Sequence, residues 1–353
     1  MKLLKYNKAK ALKKVVIFMK ALILKENYHS YLNVIETEVA IKLVKDSFER
    51  ELAKALNLTR VSAPLFVFPK SGLNDNLNGY ERRVEFDING ISEPVEIVQS
   101  LAKWKRNALK EYNFSIGTGL YTDMNAIRRD EDLDSIHSAY VDQWDWELII
   151  SKEDRTISYL KKVVRKIYRC LRIIEDKLIK SFPELKINLP GKVEFITTQA
   201  LENRYPNLSM KQREYEITKE LGAVFIMQIG GKLKSGLPHD GRASDYDDWR
   251  LNGDLLVYDE DLDIALELSS MGIRVDSESI QAQIKEKGEF DKFNNKYVKD
   301  VISGALPLTI GGGIGQSRLC MLLLRKAHIG EVQASMWSDE DIKLLKEYNI
   351  NLL

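Results

Sequence analysis

Near its C-terminus the chain reads Gly311-Gly312-Gly313-Ile314-Gly315-Gln316-Ser317-Arg318 and passes directly into the apolar run 319–324. Four glycines in five residues remove the Cβ atoms that would hold a backbone away from its surroundings, so this stretch can lie flat against a ligand or a neighbouring strand. Arg318 then falls in the first turn of a predicted helix. Two readings stand at this point, a nucleotide-facing surface and a tightly packed structural strand. The dinucleotide fingerprint, with glycines at the first, third and sixth places, fails: counting from Gly311 the sixth place is Gln316, and counting from Gly313 it is Arg318. A phosphate loop of the Walker type fails as well, because no lysine followed by serine or threonine closes the run.

The rest of the composition narrows the partners. With 53 Lys and Arg against 52 Asp and Glu the chain has a formal net charge of +1, so no global field recommends nucleic acid, and anion chemistry has to be local. Two cysteines, Cys170 and Cys320, offer neither a disulfide framework nor metal-ligand spacing, which points to core packing in a reducing cytoplasm. Lysines at 2, 5, 8, 10, 13, 14, 20 and 25 precede the first acid, Glu26. Residues 1–30 are expected to be a basic appendage and residues 31–353 a single domain. No span approaches the run of about 18 apolar residues that a membrane helix needs.

Helical spacing of Val34, Ile41, Val44, Phe48, Leu52 and Leu56 predicts a long amphipathic helix over residues 33–56. A short strand is expected over 61–66 despite Pro64, whose missing N–H implies an edge position. Further strands are expected at 83–88, 95–98, 120–127, 138–148, 193–197, 223–229, 254–258 and 264–268, with a second long helix over 157–179. Strands outnumber helices and are often close neighbours, so the fold class is α+β, a mainly antiparallel sheet flanked by helices.

A second constellation is Tyr140-Val141-Asp142-Gln143-Trp144-Asp145-Trp146-Glu147. On a strand, Gln143, Asp145 and Glu147 face one side while Asp142, Trp144 and Trp146 face the other. Acidic and amide groups inside a strand cost stability unless paired, which suits them to gripping an ammonium group or a metal; a solvated edge strand is the competing reading. Upstream, Arg128 leads a charged loop, and a guanidinium can hold phosphate oxygens in a fork.

The glycine strand followed by Arg318 resembles the third signature motif of class II aminoacyl-tRNA synthetases, in which the arginine lies over adenine. The strand, arginine-led loop and strand around Arg128 resemble the second motif, whose arginine binds the α-phosphate. The long helix and proline-bearing segment at 33–66 resemble the first motif, which builds the dimer interface. Ser100-Leu101-Ala102-Lys103-Trp104-Lys105-Arg106, Gly119-Leu120-Tyr121-Thr122, Asp245-Tyr246-Asp247-Asp248-Trp249, Leu251-Asn252-Gly253-Asp254 and Glu267-Leu268-Ser269-Ser270-Met271-Gly272-Ile273-Arg274 complete the resemblance. Together they are similar to the ammonia-dependent aspartate–ammonia ligases, also called asparagine synthetase A, over roughly residues 31–353.

That resemblance implies the class II synthetase catalytic fold, a cytoplasmic homodimer, and conversion of aspartate, ammonia and ATP to asparagine, AMP and pyrophosphate with Mg²⁺. It implies a β-aspartyl adenylate that ammonia then opens. Arg128 and Arg318 are expected to neutralise the charge that builds up as two anions meet, with Gly313 and Gly315 against the nucleotide. Glu267 and Asp254 offer the hard oxygens that magnesium takes beside phosphates, although an aspartate after Asn252-Gly253 also suits a turn for backbone reasons alone. Asp145, Gln143 and Asp247 are suited to the substrate ammonium; Lys105, Ser100, Arg242 and Arg274 are suited to carboxylate or phosphate oxygens, with Ser269 and Ser270 beside them. Asp247 is also expected near the nucleotide, and Asp75 matches a family active-site aspartate. His137 and His239 are read as structural or loop-exposed. One departure from the family is that only Arg250 separates Trp249 from Leu251, where members carry a longer loop near the nucleotide. The alternatives are an aspartate-activating tRNA synthetase, for which no tRNA-reading module is visible, and a binding protein for aspartate or AMP that has lost catalysis.

Overall fold

The computed structural model describes residues 22–74 and 81–353. Asn33 opens the first helix, α1 (Val34–Leu56), through a capping box with Glu36, and Asn57 ends it in the left-handed region. Its inward stripe, Val44, Phe48 and Leu52, is completely buried. The chain then forms β1 (Leu58–Arg60), β2 (Phe66–Val67), β3 (Glu85–Phe86), β4 (Val95–Ile97), α2 (Ala102–Glu111), β5 (Gly119–Ile127), β6 (Tyr140–Ile149) and α3 (Ile157–Ser181). The second half contributes β7 (Glu194–Thr197), α4 (Thr198–Arg204), α5 (Met210–Leu221), β8 (Ala223–Met227), β9 (Asp247–Asp259) and β10 (Ile264–Arg274). It closes with α6 (Ser277–Lys287), α7 (Lys296–Ile302), β11 (Thr309–Gly315), α8 (Gln316–Leu323) and α9 (Asp339–Glu347).

Eight strands make one sheet in the order β1-β5-β6-β11-β10-β9-β8-β7. Only the outermost pairs, β1 with β5 and β7 with β8, are parallel; the six inner strands run antiparallel. This is the expected α+β architecture. A small sheet, β2-β4-β3, sits apart from it. One face of the large sheet is covered by α1, α3 and α8, whose apolar stripes meet Trp144 and Trp146 in the largest core cluster. The Phe48 and Trp144 rings pack with centroids 4.7 Å apart. The other face is shared between α2, which packs on Leu120 and Ile149, and α4 with α5, which pack on Val224, Ile226 and Leu256. Between those two groups this face stays open, and the polar side of β6 looks into the opening.

Several expectations change. Pro64 is not in a strand: pairing runs from Leu58 to Arg60, Val61 N still donates to Tyr121 O at 2.9 Å, and the chain resumes pairing only at Phe66. A residue without an N–H falls where no ladder bond is required. The strand expected at 83–88 shrinks to Glu85–Phe86, while those at 254–258 and 264–268 grow to Asp247–Asp259 and Ile264–Arg274. Residues before 31 also join the fold. Leu22, Ile23, Leu24 and Tyr28 pack against the main core, and Ile23 N donates to Ser135 Oγ at 2.7 Å. Residues 1–21 lie outside the described residues. No helix among the described residues is long and apolar enough to cross a membrane.

Trp144 is wholly buried beneath α1. Trp144→Ala is expected to cost about 3–5 kcal/mol of unfolding free energy, the range for a deleted core aromatic, read from denaturant titration; a loss under about 1 kcal/mol would mean that the α1 layer is not packed as described.

Candidate active site

The open face holds a cavity of about 400 Å³. Its floor is β6, β11 and β10, and its walls are α2, the turn at 128–138, the strap at 240–247 and the start of α8. The glycine run is what lets the floor carry long polar side chains. A Cβ at Gly311 would overlap the Glu147 carboxylate, and one at Gly313 would overlap the Gln143 amide. Gly311 pairs with Glu147 and with Gly272, so the side chains of β6 lie across β11 instead of being pushed off it. The two readings of the run are therefore compatible: the glycines make room for neighbouring strands, and Gly312, Gly313 and Gly315 also line the cavity.

At the Gly311 end lies a buried triad. Arg274, at the last position of β10, donates from Nε and Nη2 to Glu147 at 3.0 and 2.8 Å and from Nη1 to Asp247. Thr309 Oγ1 also donates to Glu147 at 2.7 Å. Burial would raise the Glu147 carboxyl, but Arg274, with Lys105 and Thr309 adding to it, outweighs burial and the net shift is downward. Asp247 shifts the other way, because burial outweighs its share of Arg274. One guanidinium thus serves two carboxylates. A substrate carboxylate reaches Arg274 only by sharing or displacing Asp247. One step along, the Lys105 ammonium from α2 donates to Asp145 and to Gly312 O, the latter at 3.0 Å. It leaves the buried Asp145 Oδ2 with no partner. Ser100 Oγ accepts from Ala102 N at 3.1 Å at the start of α2, and Ser269 Oγ donates to Gly313 O at 2.8 Å.

At the Gly315 end the groups are arginines. Arg318 Nη1 donates to Glu267 O at 3.1 Å and its Nε points to Ile136 O at 3.4 Å. Arg128 faces Glu131 at 3.8 Å, and its buried Nε has no partner. Arg242 lies on the strap and pairs with Asp254. Asp254 sits behind Arg242, directly opposite Ser270 on the neighbouring strand, and does not line the cavity itself. Burial, with Glu267 adding to it, pushes the Asp254 carboxyl up to about 7 against the pull of Arg242. Its Oδ1 has no partner. Two carboxylates with a spare buried oxygen fit a divalent cation whose remaining ligands are phosphate oxygens and water. Among the described residues no three His, Cys, Asp or Glu side chains could hold a metal by themselves, so the nucleotide would have to complete the site.

Of the residues expected to bind substrate, nucleotide or metal, all line this one cavity except Asp254, Glu147, which is buried behind Arg274, and Asp75, which lies outside the described residues. The histidines separate. His239 is buried against Glu214 at 3.1 Å, whereas His137, read as structural, lines the cavity with Nδ1 held 2.9 Å from Asp134. Asp142, Ser317 and Gln333 are lining residues that the sequence did not single out as site residues; Gln333 carried no signal, standing in no periodic or motif context. The abbreviated segment at Trp249 is no loop at all. Between the pairs Asp247 with Arg274 and Asn252 with Gly272, residues 248–251 bulge opposite Ile273 without leaving the sheet. Gln283 closes that bulge, accepting from Trp249 N and donating to Asp247 O, both at 2.9 Å.

Comparison with known proteins places the chain in a family. A family model described as aspartate-ammonia ligase matches residues 35–349. An aspartate–ammonia ligase of Ruminiclostridium cellulolyticum is 59% identical over 336 residues, covering 95% of this chain and 100% of that protein. One from Fusobacterium nucleatum is 59% identical over 326 residues, covering 92% and 99%. Among solved structures, asparaginyl-tRNA synthetase of Pyrococcus horikoshii with asparaginyl-adenylate superposes with a TM-score of 0.63 at 14% identity, over 86% of this chain and 70% of that one. The Entamoeba histolytica asparaginyl-tRNA synthetase gives 0.58 at 16% identity, over 84% and 66%, so this chain spans about two thirds of such synthetases. At those identities the likeness establishes the fold, the class II synthetase catalytic core.

The raised Asp254 carboxyl has a stability consequence. Its folded value of about 7 lies above the ordinary value near 3.8, so between those pH values the folded protein holds a proton that the unfolded chain has released. The contribution is complete below about pH 4 and is lost as pH rises through about 7. Thermal melts of ligand-free protein should therefore show a downward slope of stability over this window that Asp254→Asn makes shallower, the buried Asp259, raised to about 6, supplying part of the remainder; identical slopes in the two proteins would place the titration elsewhere.

Proposed function

The chain belongs to the aspartate–ammonia ligase family and makes asparagine from aspartate and ammonia at the expense of ATP; on that premise we propose how its cavity performs the reaction. The observation that carries the proposal is the order of charged groups along β11. Arg274 with its two carboxylates lies at Gly311, Lys105 with Asp145 at Gly312 and Gly313, and Arg318 just beyond Gly315. At about 3.3 Å per residue, four residues separate the two ends by about 13 Å, a layout that suits an amino acid joined to a nucleotide.

Aspartate lies at the Gly311 end. Its ammonium takes the spare oxygen of Asp145, the Gln143 carbonyl and Asp247, while Lys105, Ser100 and Arg274 receive carboxylate oxygens. The side-chain carboxylate attacks the α-phosphorus of ATP, an O–P bond forms, and pyrophosphate leaves. Arg128 and Arg318 hold the charge that accumulates on the phosphate oxygens, Arg318 with its aliphatic stem along the nucleotide face. Mg²⁺ held by Glu267 and Asp254 would add a further positive charge to the polyphosphate. Ammonia then attacks the acyl carbon of the mixed anhydride. The C–O bond to AMP breaks, and the nitrogen gives up a proton to become the amide.

The proposal extends to a cytoplasmic homodimer. Two free, buried cysteines suit a reducing compartment. Val34, Ile35 and Val39 project from the outer side of α1, Ile35 with 72% of its surface exposed, and Leu65 and Phe66 are exposed as well. The apolar outer side of α1 supports cover by a second copy.

Incubation with aspartate, ATP, Mg²⁺ and ammonium should yield AMP and asparagine in equal amounts, and omission of any component should abolish both. AMP without asparagine would sink the amination half of the proposal. Arg318→Ala and Arg128→Ala are each expected to lower aspartate-dependent pyrophosphate exchange by about 100-fold or more, the usual scale for a lost charge-stabilising donor, with oligomeric state unchanged by gel filtration; near wild-type exchange in either would overturn the nucleotide assignment.

A further inference from the structure

Asp142 stands on β6 on the opposite side from Gln143 and Asp145, and the reaction as described gives it no part. It is 5% exposed, yet its carboxylate is fully engaged. Oδ2 accepts from Lys45 Nζ at 3.0 Å; Oδ1 accepts from Ser317 N at 3.1 Å and from Gln333 Nε2 at 3.2 Å. Gln333 Nε2 also donates to Ser317 Oγ at 3.0 Å. One carboxylate therefore ties α1, the first turn of α8 and the segment following Glu331 to the central sheet.

The bond to Ser317 N bears on the nucleotide end. The first N–H groups of a helix have no partner within it and need an acceptor from outside, which the residue before the helix ordinarily supplies from its own side chain. Gly315, at the N-cap of α8, has no side chain to offer and makes no such bond. β11 runs straight into the helix with no loop between them, and the space beside the Gly315 Cα is taken by the Arg318 side chain in ordinary contact. Asp142 supplies the missing acceptor from another strand, and its negative charge also lies at the positive end of the helix. The next residue is Arg318. Its aim into the cavity depends on the first turn of α8, because Glu267 O and Ile136 O hold only its guanidinium tip.

We propose that Asp142 is a positioning residue for the nucleotide: it supplies the N-cap acceptor that a glycine at 315 lacks, and with Lys45 and Gln333 it sets the first turn of α8 so that Arg318 meets the nucleotide. This rests on the assignment of Arg318 to the nucleotide. It assigns no role to Asp142 at the aspartate end, where the polar side of β6 provides the contacts. Lys45 gives the arrangement a link to α1, so the helix bearing the exposed apolar residues and the helix bearing Arg318 share one buried carboxylate.

The test uses the full-length enzyme and compares KM for ATP with KM for aspartate in the AMP-forming reaction, after thermal melting has verified folding. Asp142→Ala is expected to raise KM for ATP by about tenfold, the scale of a lost cap, with KM for aspartate within about twofold of wild type. Asp142→Asn keeps an oxygen for Ser317 N and Gln333 but loses the charge, and is expected to recover most of the defect, to about threefold. A rise in both KM values together, no rise in either, or an Asp142→Asn defect as large as that of Asp142→Ala would overturn the proposal. If Asp142→Ala does not fold, Asp142→Asn decides alone, since an unchanged KM for ATP or a matched rise for aspartate would refute the positioning role. Arg318→Ala is measured in parallel: wild-type KM for ATP in that variant would mean that the nucleotide assignment has failed, separately from the claim about Asp142.

Discussion

The arrangement depends first on one buried guanidinium. Arg274 ends β10 and binds Glu147 of β6 across the intervening glycine strand, and Asp247 of the adjoining β9. Taking three charges out of water costs several kcal/mol per ion unless each is paired with good geometry. Here the pairing is possible only because Gly311 has no Cβ: any side chain there would occupy the space of the Glu147 carboxylate. The triad is weak evidence for added stability, since such clusters often do no better than apolar packing. Its consequence is specificity. It allows one register of β6, β11, β10 and β9, and that register fixes where the other polar groups of the floor stand.

Within that frame the cations are paired before substrate arrives. Lys105 is bonded to Asp145 and a backbone carbonyl, Arg242 to Asp254, and Arg318 to two backbone carbonyls. Long flexible side chains held in this way lose little further freedom on binding, which favours the charged stages of the reaction over the resting state. The cost appears as spare polar atoms, Asp145 Oδ2, Arg128 Nε and Asp254 Oδ1, buried with no protein partner. Such atoms are rare in folded proteins. They mark where a substrate ammonium, a phosphate and a cation have complementary chemistry.

The fold was legible wherever burial produces a regular pattern. The stripe of α1, the stripe of α3 and the alternation of β6 were all readable, because each element buries one apolar face. It was illegible where the inward face is polar. The helix α2 turns Lys103, Lys105 and Arg106 inward beside Ala108 and Leu109, so polar residues interrupt its apolar stripe. The strands β9 and β10 were cut short at Asp254 and Leu268 in the sequence reading because their cavity-facing residues, Asp247, Ser269, Ser270 and Arg274 among them, look like loop composition. The site residues were read from uninterrupted strings shared with a family, and apart from Asp254, Glu147 and Asp75 they line the cavity. Asp142 and Gln333 escaped because their importance lies in one hydrogen bond each to α8, and no spacing announces that.

By itself the sequence determined the inventory: a glycine strand running straight into an arginine-bearing helix, a two-faced strand with tryptophans on one side and acceptors on the other, and enough paired charge to build a local anion site in a chain of net charge +1. Only the tertiary structure decided which charge meets which. Arg274 finds Glu147 at a separation of 127 residues and Lys105 reaches Gly312 at a separation of 207. Local propensity carries no information over such distances. Those partners are set by strand order and register, which emerge when the whole sheet closes, and the partners in turn decide whether a buried lysine or arginine is a stabilised cation or an intolerable one.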